Sequence, residues 1–525
     1  MTGDPGSDDA FRPQRLLASG VVAAAAGVAA VGGSYAAVGR TPAFVAAPVA
    51  DLVVALTPDA VVTWSIQTLG DLGHQLGFLL ALALTVGLFA LTAAAGAALA
   101  DRFAVPAWPV AGVGCVAAAV TLVGAPRSAL AAGAGAGLVV GLASVGIGSG
   151  ADATAPTAAR RRVLQAVAGA FAVGGVGAVL GSGKGGRVPD PVDDGEVAAD
   201  VGSLLGEAES RSLDVPGIEP LVSEQFYQVD INSVDPAVDL EEWTLSVTGA
   251  VEEEVEFDFG EISGMTDAVE HRFVTLRCVG EGLNGEKMDT ALWTGVPVTD
   301  LLESAGVDAS GNCCVMLRAA DDYFEEFPLS ALRNGFLAFE MNGRPLPRSH
   351  GYPMRALIPG HWGEINVKWL TEIEVLEEEA TGYWEKRGWH GTGPVNTVAK
   401  LHAVNHRDDG SIQVGGHAYA GTRGIRKVEV STDGGDSWNE ATLSEPLPAG
   451  TGRRDSAGGS SGSESRSRSG AAEDAWRQWE YTYEADAPHE VVVRATDGEG
   501  NRQPKKRRDA FPSGPTGWVS RRVEP

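Results

Sequence analysis

The chain reads as a multi-domain protein: an N-terminal α-helical membrane bundle of about five spans, a mixed α+β domain, and a C-terminal immunoglobulin-like β-sandwich. Three observations carry that reading. Residues 1–181 hold long uncharged Ala/Val/Gly/Leu stretches, several of them long enough to cross the ~30 Å apolar layer of a bilayer. From 226 to 379 short β-rich runs alternate with helical ones. Beyond about 395 only strand-and-turn patterns remain. At 525 residues there is room for three or four domains.

Within residues 1–181 the spans are expected at 16–39, 75–100, 104–124, 128–149 and 163–181. The segment 44–66 carries Pro48, Asp51, Pro58 and Asp59 and reads as an interfacial or re-entrant connection. With five spans, Arg12, Arg15, Arg102, Arg160, Arg161 and Arg162 share one side, and Arg40, Arg127, Lys184 and Arg187 share the other. That bias favours a cytoplasmic N-terminus, a multi-pass protein of the cell membrane, and a soluble half outside the cytoplasm. The run Arg160-Arg-Arg-Val-Leu-Gln165 resembles an internal twin-arginine export signal; a plain orientation signal is the alternative. Bis-histidine haem needs paired histidines within spans, and only His74 lies near one, so intramembrane haem is excluded.

Residues 182–222, rich in Gly, Pro and acid, read as a linker. The α+β domain occupies 223–394, with a strand at 243–249, a helix at 298–305 and a strand at 366–376. The β-sandwich occupies 395–525, with strands before the Asp-Gly turns at 433–434 and 497–498. A Gly/Ser/Arg-rich insertion at 449–475 lacks apolar periodicity and should be disordered.

Charge is divided unevenly. Of 40 basic and 68 acidic residues, 10 and 8 precede residue 188, leaving 30 and 60 beyond it. So acidic a soluble half repels nucleic acid. It suits a surface that stays soluble in concentrated salt, which points to a halophilic source.

The chemistry concentrates in a few residues. Of four cysteines, Cys115 lies in an apolar stretch, and adjacent Cys313 and Cys314 cannot easily bridge each other. Cys278 ends the apolar run His271-Arg-Phe-Val-Thr-Leu-Arg-Cys278, where a soft thiolate suits a thiophilic transition metal. Further on, His350-Gly-Tyr-Pro-Met-Arg355 sets a His and an Arg around a rigid turn able to grip an anion. Lys368, in Val367-Lys-Trp-Leu370, adds a compact positive charge.

In this order and separation the motifs resemble the sulfite oxidase family of molybdopterin-dependent oxidoreductases, over roughly 222–525. The resemblance implies a sulfite-oxidase-type molybdopterin domain and a C-terminal domain of the dimerisation type. It also implies Mo-molybdopterin as cofactor, Cys278 as the metal ligand, and His350, Arg355 and Lys368 as pterin contacts. Asp321 is a looser acidic contact, and Phe226 and Tyr227 fall where the family wraps the pterin.

Two departures matter. The family follows its cysteine with a cationic segment, whereas here Val279-Gly-Glu281 places a carboxylate. Its active-site tyrosine aligns with Trp389, which cannot act as a phenolic acid. Glu281 and Trp389 are therefore expected at the catalytic centre, with Glu281 disfavouring an anionic substrate and His361, Arg387 or His390 as replacement cations. The implied activity is oxygen-atom transfer to or from a small sulfur or nitrogen oxo compound. It would need an unidentified electron-transfer partner, with a homodimer formed through the C-terminal domain. The competing reading is a membrane-tethered, non-catalytic binding module on a degenerate core.

Overall fold

The computed structural model describes residues 7–144, 155–182, 198–307, 312–451 and 470–525. It divides into two compact units.

The first unit is helical: Ser7–Val38, Ala47–Leu56, Asp71–Phe103, Ala107–Val123, Pro126–Ser144 and Ala155–Ser182. Its interior is built largely of alanine and glycine, with Phe44 and Phe89 also buried. A methyl group on Gly33 would sit 2.4 Å from the Ala131 carbonyl oxygen, and one on Gly135 2.2 Å from that of Ala29. Backbones approach this closely only where both helices present small residues. Inside, the Ser34 and Ser128 hydroxyls pair at 2.8 Å. Many leucines face outward: Leu79, Leu80, Leu84, Leu88 and Leu91 are all exposed.

Among the described residues, four helical stretches are long and apolar enough to cross a membrane: Ala18–Val38, Leu72–Phe103, Pro126–Ser144 and Val163–Leu180. The expected span at 104–124 is the shorter helix Ala107–Val123, and 44–66 is a pair of helices bent by 104°. Arg160, Arg161 and Arg162 lie on the last helix, with their side chains outside the described residues.

The second unit holds residues 59–68, 191–229 and 238–525. Its α+β part has two five-stranded sheets. One runs Val255–Asp258, Thr244–Gly249, Leu370–Leu376, Cys314–Ala319, Phe324–Pro328, with a parallel pairing only between the second and third. In the other, Glu270–Arg277 pairs with Met288–Pro297, which pairs with Phe336–Met341. Arg355–Leu357 joins its edge. Every residue of Met288–Pro297 is buried, so this strand forms the floor on which the neighbouring segments rest.

The strand expected from 366 begins at Leu370. Residues 366–369 instead turn, with Trp369 in the left-handed region at φ 49°. A bulky residue there is strained; burial of the indole and its Nε1 bond to the Arg348 carbonyl (2.9 Å) hold it.

The C-terminal part is two β-sheets packed on one core. Ile412–Tyr419 and Arg477–Tyr483 are central in one sheet, Ile425–Ser431 and His489–Asp497 in the other. Two expectations change here. Residues 198–222 are not a free linker: the helix Ala199–Arg211 buries Val201, Leu204 and Ala208 in that core, an amphipathic face hidden among Gly and acid. Within the expected insertion 449–475, residues 452–469 lie outside the described residues, whereas Asp474 is buried and accepts from the Tyr419 hydroxyl (2.6 Å) and the Gly360 amide (2.9 Å). Cys313 and Cys314 are bonded to each other as a vicinal disulfide, contrary to expectation.

Candidate functional site

Strand Glu270–Arg277 runs through the core and ends one residue before Cys278, whose thiol is free. The Cys278 amide donates to the Lys287 carbonyl (3.0 Å), which fixes the chain where it leaves the sheet. Burial, reinforced by the nearby Glu281 charge, pushes the thiol up to about 11. Metal binding must therefore displace a proton from it.

Gly280 shows what surrounds the sulfur. A methyl group there would lie 3.6 Å from the Trp389 ring, 3.8 Å from Cys278 Sγ and 3.8 Å from Ile66 Cγ2. Trp389 and Cys278 thus both border Gly280. It is buried, braced by Phe511 (centroids 5.2 Å), and its Nε1–H has no partner. Ile66 comes from the helix Asp59–Leu69, which Thr63 Oγ1 ties to the Arg387 carbonyl (2.8 Å).

Glu281 does not present an open negative charge. Its carboxylate accepts from Arg277 Nε at 2.8 Å and from the Lys287 amide at 3.0 Å, and pairs with Lys400 Nζ at 2.7 Å. All three charged side chains are buried. Burial drives Lys400 down to about 8, with Glu281 pulling the other way. One carboxylate lies between two cations, which offset the charge that was expected to repel an anion, although the Cys278 thiol still feels it.

The replacement cations also differ from those expected. Arg387 pairs with Asp59 (3.3 Å), His390 is exposed, and burial lowers His361. The cation that sequence reasoning missed is Arg277. Its guanidinium lies 4.8 Å over the Trp362 ring, and its Nη2 is buried without a partner. An Arg closing an otherwise apolar strand, directly before the cysteine, was the available signal. Lys400 gave none, being 119 residues from Glu281 in sequence.

The second cluster gathers His350, Arg355 and Lys368. Gly351, at φ 106°, makes this gathering possible, since a methyl group there would sit 3.0 Å from Arg355 Cβ and 3.1 Å from Lys368. Arg355 donates to the carbonyls of His350 (3.2 Å) and Asn366 (2.9 Å), and Lys368 to that of Ser349 (2.9 Å). Burial, then Arg355 and Lys368, drive His350 down to about 3. Its ring is neutral at physiological pH, beside two cations.

Phe226 and Tyr227 join the two clusters. Phe226 packs against His350 (centroids 5.4 Å) and Trp293 (5.5 Å), and the Arg355 guanidinium covers the other part of Trp293 at 5.2 Å. The Tyr227 hydroxyl feels the charges of both Cys278 and Arg355. Asp321 is buried and receives the Tyr323 amide (3.2 Å) at the turn after Cys314–Ala319; no described contact joins it to His350 or Arg355.

A free thiol, a stacked Phe226–Tyr227 pair and a His/Arg/Lys cluster are parts suited to a cofactor-bearing redox protein. Residues 232–384 match the family model of the oxidoreductase molybdopterin binding domain. Residues 394–511 match that of the Mo-co oxidoreductase dimerisation domain. Mitochondrial sulfite oxidase of Mus musculus is 29% identical over 280 residues, 44% of this chain and 48% of that protein. Sulfite oxidase of Arabidopsis thaliana is 28% identical, over 43% of this chain and 64% of the relative. NADH nitrate reductase of Spinacia oleracea is 28% identical, over 40% and 29%. The chain thus spans about half the length of the first of these relatives. The crystal structure of the sulfane dehydrogenase SoxCD from Paracoccus pantotrophus overlays at TM-score 0.45 and 17% identity, covering 63% of this chain and 94% of that one.

The chain belongs to the sulfite oxidase family of molybdopterin-dependent oxidoreductases, and its cofactor is Mo-molybdopterin. The residues fit that group: a free thiol for the metal, unpartnered Trp389 Nε1 and Arg277 Nη2 donors, and a His/Arg/Lys cluster for a phosphate.

Proposed function

We propose that the protein is a membrane-anchored enzyme catalysing oxygen-atom transfer at a Cys278-ligated molybdenum. Its substrate would be a small sulfur or nitrogen oxo compound, by sulfite oxidation or by reduction of a sulfoxide or N-oxide. The observation that carries this is the gathering of His350, Arg355 and Lys368 around Gly351, with Phe226 packed on His350, in a domain that also keeps the Cys278 thiol free. When bound, the cofactor supplies the two-electron oxygen exchange. Cys278 would hold the metal as a thiolate, and Arg355, Lys368 and neutral His350 would orient the phosphate. Phe226 and Tyr227 would flank the pterin.

Trp389 and Ile66 meet the Cys278 sulfur around Gly280 and would present apolar surface there. Trp389 Nε1 can donate one hydrogen bond to an oxo or hydroxyl oxygen, but no proton. With Glu281 neutralised, sulfite returns as a candidate beside neutral oxides. Arg277 would provide the positive potential for it.

The outward leucines of Asp71–Phe103 support anchoring in a membrane, with the enzyme domain outside the cytoplasm. The C-terminal sheets would form a homodimer, and electrons would pass to a separate partner. None of the matches favours a non-catalytic binding module. The test is molybdenum analysis of the purified full-length protein, followed by turnover of sulfite, sulfoxides and N-oxides with an artificial redox dye. Stoichiometric molybdenum with turnover of one class is expected; molybdenum-free protein from a host that makes the cofactor would refute the proposal.

A further inference from the structure

Three carboxylates converge beside this site. Glu325 comes from strand Phe324–Pro328, Glu364 from the turn Gly363–Ile365 and Glu385 from the turn Glu385–Arg387. One oxygen from each lies within 4.8 Å of the others. Glu325 is 0% exposed and Glu364 8%.

Proximity alone would say little; the bonding of these groups says more. Glu325 Oε2 accepts from the Tyr323 hydroxyl (3.1 Å) and the Trp384 amide (3.2 Å), but its Oε1 has no donor. Both oxygens of Glu364 and both of Glu385 also lack one. The Gly391 amide lies close to Glu364 and favours its charged form, but burial and Glu385 outweigh it. Among the described residues no Lys or Arg pairs with any of the three; Arg387, on the same turn as Glu385, turns to Asp59 and to the Tyr383 ring instead. Five buried carboxylate oxygens thus face one another, Glu385 within hydrogen-bond reach of Glu325 and Glu364, so that only shared protons or a cation can satisfy the cluster. Buried acids in that condition must take up protons or a cation.

The donor set decides which cation fits. Carboxylate oxygens alone, without His or Cys, suit a hard divalent ion rather than zinc or copper. Calcium–oxygen bonds of about 2.3–2.6 Å place ligands on opposite sides up to about 5 Å apart, so oxygens within 4.8 Å fit its shell without rearrangement.

We propose that Glu325, Glu364 and Glu385 form a binding site for a hard divalent cation, with calcium the best fit. The ion would staple three segments around the cofactor path. Glu364 precedes the turn to Lys368, Glu385 precedes Trp389, and Glu325 lies on the sheet behind them. It would also screen the Glu364 charge that Cys278 feels. This goes beyond the proposed reaction and does not depend on its substrate.

The test uses full-length holoprotein treated with EDTA, titrated separately with calcium chloride and magnesium chloride, and followed by calorimetry and thermal melting. Saturable binding of one ion per chain is expected, with the melting temperature raised by about 5 °C or more at saturation. Glu364→Gln should abolish both, and the milder Glu385→Gln should weaken binding at least about tenfold, with molybdenum content unchanged. Absence of binding up to 10 mM of either ion would overturn the proposal. So would a Glu364→Gln protein that is more stable than the parent and indifferent to calcium, because shared protons would then be the resolution. A Glu364→Gln protein that loses molybdenum while the parent shows no calcium response would assign the carboxylates to the cofactor instead.

Discussion

The two ends of the cofactor path handle buried charge in opposite ways. At the His350–Arg355–Lys368 end, two cations donate to the backbone carbonyls of His350, Asn366 and Ser349. At the Cys278 end, the Glu281 charge is closed within Arg277 and Lys400. The first cluster sets two cations beside a neutral imidazole; the second sets one carboxylate between two cations. Charged side chains near a site therefore reveal little until their partners are known. Glu281, alarming as a lone acid in sequence, is a counter-ion in the fold.

The largest effect that would sharpen this contrast is expected at the sulfur. Cys278→Ser should lower turnover roughly a thousandfold or more, about 4 kcal/mol in barrier. Pterin content should stay within about twofold, because the other end holds the phosphate. Pterin fluorescence after denaturation, alongside kcat, checks it; equal loss of pterin would mean that the ends are not separable.

Next comes the buried triad. Glu281→Ala should destabilise the soluble unit by about 3–5 kcal/mol by leaving two buried cations facing each other. Adding Lys400→Met should recover much of that loss. Denaturant melts of both proteins measure it, and a single variant as stable as the parent would show that water reaches the triad.

At the phosphate end, Arg355→Met should weaken cofactor retention by about 10–100-fold, the loss of a charge-assisted hydrogen bond worth about 1.5–3 kcal/mol. Lys368→Met should cost less, since one point charge replaces a two-pronged fork. Cofactor release during dialysis ranks the two, and the reverse order would move the phosphate toward Lys368.

The smallest effect is in pH. His350 is driven down to about 3 in the fold and returns to about 6.5 when unfolded. The unfolded chain therefore binds more protons between those values. His350 contributes its full stability above about pH 6.5 and loses it as pH falls toward 3, by at most ~1.4 kcal/mol per unit. His350→Gln should flatten the acid limb of the stability curve by up to that slope; an unchanged limb would place the imidazole in water.

Much of this was legible before any coordinates. Helical, α+β and all-β regions differ in periodicity, and periodicity is local. Cys278, His350, Arg355 and Lys368 stood out because unusual residue types sit at turns and strand ends. The helix Ala199–Arg211 escaped because three buried side chains, Val201, Leu204 and Ala208, are too few to show through Gly and acid. The Cys313–Cys314 bond escaped because adjacency argued against it.

Sequence by itself determined the order of the three regions, the acidity of the soluble half and the ligand types, because each depends on composition or on neighbours within a few residues. Only the tertiary structure decided what the charges do. Glu281 meets Lys400 across 119 positions, Glu325 meets Glu364 and Glu385 from separate segments, and Ile66 reaches Gly280 from far upstream. A charge acts through whatever lies within a few ångströms of it, and folding, not spacing along the chain, sets those distances.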